Sequence, residues 1–136
     1  LQARRLVDGL EKRAPSSELL IIGGDLNTTP PEAKKKHGFP DGPDDYRDDE
    51  TLDLLRRAPG LREIVPRERY AADEERHFTF PTRAPTRRLD YLFVDERFKV
   101  ARYEMLRTGR FSDHLPVLAE LRFARKKAAP GKEKTP

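Results

Sequence analysis

Cysteine is absent from all 136 residues. Disulfides and thiolate metal sites are therefore excluded. Any metal has to be held by oxygen or imidazole, which favours Mg²⁺ or Mn²⁺ over structural zinc. Hydrophobic residues are scarce as well, 35% against 38% charged, a low share for a compact domain. No apolar run approaches the ~20 residues of a membrane-spanning helix, so no membrane span is expected, and no signal peptide is visible. Methionine occurs once, at Met105, and the opening LQARRLVDGLEKR reads as the middle of a helix. A fragment of a longer chain is therefore expected, which leaves the compartment open.

What is present is charge of both signs, with a formal excess of +4 and a pI of about 9.5. Much of the excess lies in ARKKAAPGKEKTP, where five Lys or Arg face Glu133 alone. This composition predicts a disordered basic tail over 124–136 behind one domain over 1–123, a monomer. Basic charge also admits a nucleic-acid-binding module without catalysis. However, the linear sequence shows no interleaving of basic and aromatic residues of the kind used to stack bases.

The apolar residues are bunched into short runs, which makes a sheet core plausible. Residues 1–13 suit an amphipathic helix with Leu6, Val7 and Leu10 on one side. Leu19-Leu20-Ile21-Ile22, ending in Gly23-Gly24, predicts a buried strand covered on both faces. Pro30-Pro31 is expected to open a short helix. HGFPDGPDDYRDD at 37–49 reads as a solvated loop, and Thr51–Arg57 as a short helix built on Leu52 and Leu55. Leu61–Val65 predicts a brief strand or turn, and 66–76 a charged loop. Arg88–Val94 predicts a central strand. Phe98–Arg107 and Leu115–Phe123 read as two further strands, with a loop over 111–114. Together these predict a mixed α/β sheet protein.

Three polar clusters stand at the edges of the apolar strands. Asp25 and Asn27 follow LLIIGG, Asp90 interrupts RRLDYLFV, and Asp113-His114 precede LPVLAEL. An unpaired carboxylate in an apolar strand is costly, so Asp90 needs a partner. His114 is the natural one, because a carboxylate fixes an imidazole's tautomer and raises its basicity. Asp25 and Asn27, two apart on an extended segment, would face one side. Asp25 would then orient or deprotonate a water and Asn27 would donate to a phosphate oxygen. Each cluster also has a plainer reading. For Asp25–Asn27 it is an Asx turn closing the strand, for Asp90 a solvent-facing edge carboxylate, and for Asp113 a capped turn. His37 and His77 are expected at the surface.

Taken in order, GDLN at 24–27, TFPTRAPTRRLD at 79–90, RRLDYLFV at 87–94 and SDHLPV at 112–117 resemble the motifs of the endonuclease/exonuclease/phosphatase family, particularly its small bacterial hydrolases. The resemblance spans about residues 1–123. It implies an α/β fold that is part of a β-sandwich flanked by helices, the four-layer DNase I-like arrangement. It also implies metal-dependent hydrolysis of phosphate mono- or diesters in nucleic acid, phospholipid or small molecules. By this resemblance Asp25, Asn27, Asp90 and His114 are catalytic, Asp113 and Asp25 are metal-proximal, and Thr79 lies near the site. The cofactor implied is Mg²⁺ or Mn²⁺. The family's upstream Asn, Glu and further His have no counterpart here, so the 136 residues alone are expected to show little or no activity. A catalytically dead member used for interaction is disfavoured by the intact motifs.

Overall fold

The structure is a computed structural model that describes residues 2–12, 19–107 and 111–123. Its centre is the strand β5 (Asp90–Asp95), flanked by β1 (Ile21–Asp25) and β4 (Leu61–Glu63) in an antiparallel sheet of order β1–β5–β4. The central position expected of this apolar segment is therefore observed. Side chains alternate across a strand, and the two faces of β5 meet different partners. Tyr91 and Phe93 pack with Val7 and Leu10 of α1 (Gln2–Glu11) and with Leu52 and Leu55 of α2 (Thr51–Arg56). Leu92 and Val94 pack instead with Val100, Tyr103, Ala119 and Leu121 of the hairpin β6 (Phe98–Met105) and β7 (Val117–Phe123). Each large apolar side chain so buried contributes ~1.5–3 kcal/mol, and this concentrates a small hydrophobic share into two layers of core.

Several expectations are corrected. Among the described residues β1 pairs only with β5, and four of its five residues are exposed, so it is not covered on both faces. Leu20 and Ile22 pack inward, whereas Ile21 is 50% exposed. The strand also runs further than its apolar run, through Gly23 and Gly24 to Asp25. The two glycines differ in what a side chain would meet. A Cβ on Gly23 would lie 2.3 Å from a methyl of Leu92, and Gly24 has φ +153°, a backbone state that side chains disfavour. In α1 it is Val7 and Leu10 that face the core, while Leu6 is exposed.

Pro30-Pro31 opens a turn rather than a helix, closed by the Ala33 N–H donating to the Pro30 carbonyl at 2.9 Å. A residue before proline is pushed out of the helical region, which explains the difference. The segment 37–49 forms the hairpin β2 (His37–Phe39) and β3 (Gly42–Asp45). The charged stretch after Pro66 forms α3 (Arg67–Ala72) and a 3₁₀ turn over Glu74–His77. In both cases tertiary contacts override weak local signals. The basic segment 124–136 lies outside the described residues. Among the described residues no helix is long and apolar enough to cross a membrane.

Candidate active site

Asp25 ends β1 and Asp90 begins β5, and the two are direct cross-strand partners. Asp90 therefore stands at the end of its strand rather than within it. Like charges opposite one another disfavour strand pairing, so this acid–acid pair requires something between or around it. That group is His114. Its Nδ1 lies 2.7 Å from Asp90 Oδ2, and its Nε2 lies 3.8 Å from Asp25 Oδ2. The imidazole thus has a carboxylate on each side. Asp90 thus orients the ring through Nδ1, and the second nitrogen, Nε2, faces Asp25.

The loop that carries His114 is tied to the segment before β5. The Leu115 N–H donates to the Thr79 carbonyl at 2.7 Å, and the Thr82 N–H donates to the Asp113 carbonyl at 2.7 Å. The Thr82 hydroxyl donates to the Ser112 carbonyl at 2.8 Å. The ring of His114 rests on Phe80, with centroids 4.8 Å apart. Asp90 is held from behind. The Thr79 hydroxyl oxygen accepts the N–H of Leu89 at 3.0 Å and that of Asp90 at 3.3 Å. Thr79 is fully buried, so it lies behind the carboxylate rather than in the cleft.

Asp25 and Asn27 meet as an Asx turn, with Asp25 Oδ1 accepting the Asn27 N–H at 2.8 Å. Asn27 has φ +48°, so the extended segment assumed for the pair ends before it. Asparagine tolerates this left-handed state better than most residues. The turn occupies one oxygen of Asp25 and leaves Oδ2 on the His114 side. Asn27 and Asp113 are both exposed. The Ser112 hydroxyl lies 3.4 Å from Asp113 Oδ1 and accepts the His114 N–H at 3.1 Å.

Two arginines of the RRLD segment had no role read from sequence. Arg88 is buried, its Nη1 2.7 Å from Glu63 Oε1 and its Nε donating to the Asp90 carbonyl at 3.3 Å. Glu63 also binds Arg56 Nε at 2.7 Å, and Arg56 reaches Glu32. Arg87 binds Asp41 at 2.8 Å and Asp44 at 2.7 Å while lying between the rings of Phe39 and Phe80. Asp41 and Asp44 are thus engaged by a buried cation while staying partly open to solvent, and β2–β3 is held against the wall of the site. No linear signal marks these partners, because they come from 25 to 46 residues away. His77 is buried, not at the surface. It stacks on Tyr103 and contacts Tyr70. Burial, with Arg88 and Arg69 nearby, pushes its pKa down to about 4.

The donor chemistry near His114 suits a hard divalent ion, since carboxylate oxygens are present and thiols are not. The donor number does not. Among the described residues no group of three or more His, Asp or Glu is arranged to hold a metal.

The family model for the endonuclease/exonuclease/phosphatase family aligns with residues 1–114. No curated protein and no solved structure matches significantly. Members of that family are generally hydrolases of phosphate esters and commonly use divalent metals. The match spans most of the chain, and the strand ends and loop it includes hold Asp25, Asp90 and His114 together. This chain belongs to the endonuclease/exonuclease/phosphatase family.

Proposed function

We propose that the chain carries catalytic residues of a metal-dependent phosphoesterase acting on phosphate mono- or diesters. The observation that supports this most is the imidazole of His114 between two carboxylates, 2.7 Å from Asp90 and 3.8 Å from Asp25. A structural histidine needs one partner. A ring oriented by one acid with its second nitrogen toward another acid is the geometry of a charged or proton-handling group. In this reading Asp25 Oδ2 orients the attacking water and takes its proton as the new P–O bond forms. His114 Nε2–H and the Asn27 amide donate to the oxygens that gain charge as the ester bond breaks. Asp90 is the residue that fixes the ring.

The cofactor proposed is Mg²⁺ or Mn²⁺, with Asp113 and Asp25 contributing oxygen ligands. Such an ion, when bound, neutralises charge on the phosphoryl group. The remaining ligands would be water, substrate oxygens or protein groups beyond the described residues. The whole domain is proposed to be the four-layer sandwich of the family, as a monomer. Nothing in the geometry favours the non-catalytic alternative, for which an acid–acid strand pair has no use.

The test is turnover of a phosphate-ester series with Mg²⁺ and Mn²⁺ by the enzyme with its complete metal site. His114→Ala and Asp25→Ala are each expected to lower turnover by at least ~100-fold with the fold retained. Near-normal turnover in His114→Ala overturns the reading.

A further inference from the structure

A single hydrogen bond fixes one atom of a ring but not its plane. Asp90 holds His114 at Nδ1, whereas Nε2 lies 3.8 Å from Asp25, beyond hydrogen-bond reach. The imidazole could therefore tilt about the line from Nδ1 to Asp90 unless something meets its face. Phe80 meets it, with the two ring centroids 4.8 Å apart at 47°, a favourable arrangement for an aromatic pair. Phe80 is itself fixed twice by Arg87. Its N–H donates to the Arg87 carbonyl at 3.0 Å and its carbonyl accepts the Arg87 N–H at 3.1 Å, closing the turn between them. The Arg87 guanidinium also lies over the Phe80 ring at 4.6 Å. That guanidinium is buried and gripped by the hairpin carboxylates of Asp41 and Asp44. The Tyr46 hydroxyl donates to the same Asp44 carboxylate at 3.0 Å.

Resting on the phosphoesterase reading above, we propose that Phe80 is a positioning residue for His114, and that Arg87, gripped by the β2–β3 hairpin, sets the Phe80 ring. Contact runs from Asp41 and Asp44 to Arg87, from Arg87 to Phe80, and from Phe80 to the imidazole. Among the described residues Phe80 belongs to neither core layer around β5, so its ring is not placed by the core's demand for volume. What it does contact is the one face of His114 that no carboxylate controls. An imidazole that tilts still lies in the site, but its Nε2 no longer points where charge develops. Loss of the ring should therefore lower kcat and leave KM nearly alone. The contacts set the scale. An aromatic pair is worth a factor of about 2–12 in an equilibrium, and a cation over a ring a factor of about 2–5.

Two readouts test this. NMR relaxation of isotope-labelled histidine in the full chain reports the order of the His114 ring, and turnover by the enzyme with its complete metal site reports the consequence. Phe80→Leu is expected to lower the order parameter of the ring and to reduce kcat by roughly 10-fold, with KM within about 2-fold of the parent. Phe80→Tyr keeps a ring and should restore both. Asp41→Asn combined with Asp44→Asn loosens Arg87 from the partly exposed side of the hairpin and should reduce kcat by about 3-fold. In the Phe80→Leu background the same pair should add no further loss, because it acts through the ring. An unchanged order parameter in Phe80→Leu, a parental kcat, or full additivity of the ring and hairpin changes overturns the proposal. The catalytic reading is judged separately, by turnover in His114→Ala. Near-normal turnover there sinks that reading, whereas loss of turnover there with Phe80→Leu at the parental kcat removes only this inference.

Discussion

Arg88 Nη1 lies 2.7 Å from Glu63 Oε1 in the interior, and the same guanidinium donates to the main-chain carbonyl of Asp90. The ion pair is therefore continuous with the backbone that sets the proposed catalytic carboxylate. Arg88 also lies over the ring of Tyr91, at 4.3 Å, and the Tyr91 hydroxyl is 2.8 Å from the Thr28 carbonyl. Residues on both sides of Asp90 are thus fixed in the core, which explains why a strand end holds its geometry.

Loss of Arg88 leaves Glu63 with Arg56 as its remaining partner and takes a donor from the Asp90 carbonyl. Arg88→Met is expected to destabilise the fold by about 3 kcal/mol. Urea unfolding should show a lower midpoint with an unchanged slope. A loss below about 1 kcal/mol would mean that Arg56 alone compensates the charge of Glu63.

Thr79 holds Asp90 through main-chain hydrogen bonds rather than through its carboxylate. Thr79→Val keeps the shape and removes the acceptor of two N–H groups, which should cost ~1–3 kcal/mol. It should also lower turnover without raising KM, because only the ring-orienting acid is displaced. Thr79→Ser should behave nearly as the parent. Equal damage from both substitutions would point to methyl packing instead.

Asp90→Asn preserves size but not the acceptor geometry that sets the His114 tautomer. Turnover is expected to fall by ~100-fold or more, with little change in thermal midpoint. Should Asp90→Asn retain most of its turnover, the carboxylate has no role in orienting the ring.

His77 supplies an acid-side prediction. Its pKa is about 4 in the fold and near 6.5 when unfolded, so it is neutral in both states above pH 6.5. Between pH 6.5 and 4 the unfolded chain takes up a proton that the folded one refuses. Stability then falls by ~1.4 kcal/mol per pH unit, to about 3.5 kcal/mol in all, and this group adds no further loss below pH 4. His77→Phe should flatten the fall measured by urea unfolding at pH 7 and pH 5. An identical pH dependence in the variant would show that the ring is hydrated in the fold.

The central strand, the helix of Leu52 and Leu55, and the acid–imidazole pair were legible along the chain, because period, local composition and the cost of an unpaired carboxylate act over a few residues. The hairpin at 37–49 and the helix at Arg67–Ala72 were not, since their charged residues gain order only from partners such as Arg87 and Glu32. His77 was misplaced for the same reason. A histidine's burial depends on what packs over it, here Tyr70 and Tyr103.

By itself the sequence determined which chemistry is available: oxygen and imidazole donors, no thiol, and acids placed where apolar strands stop. Only the tertiary structure decided which of those groups meet. Distances of 2.7 and 3.8 Å at His114 come from segments that pack together only once both faces of β5 are covered. Burial energy depends on that whole arrangement rather than on neighbours in the chain.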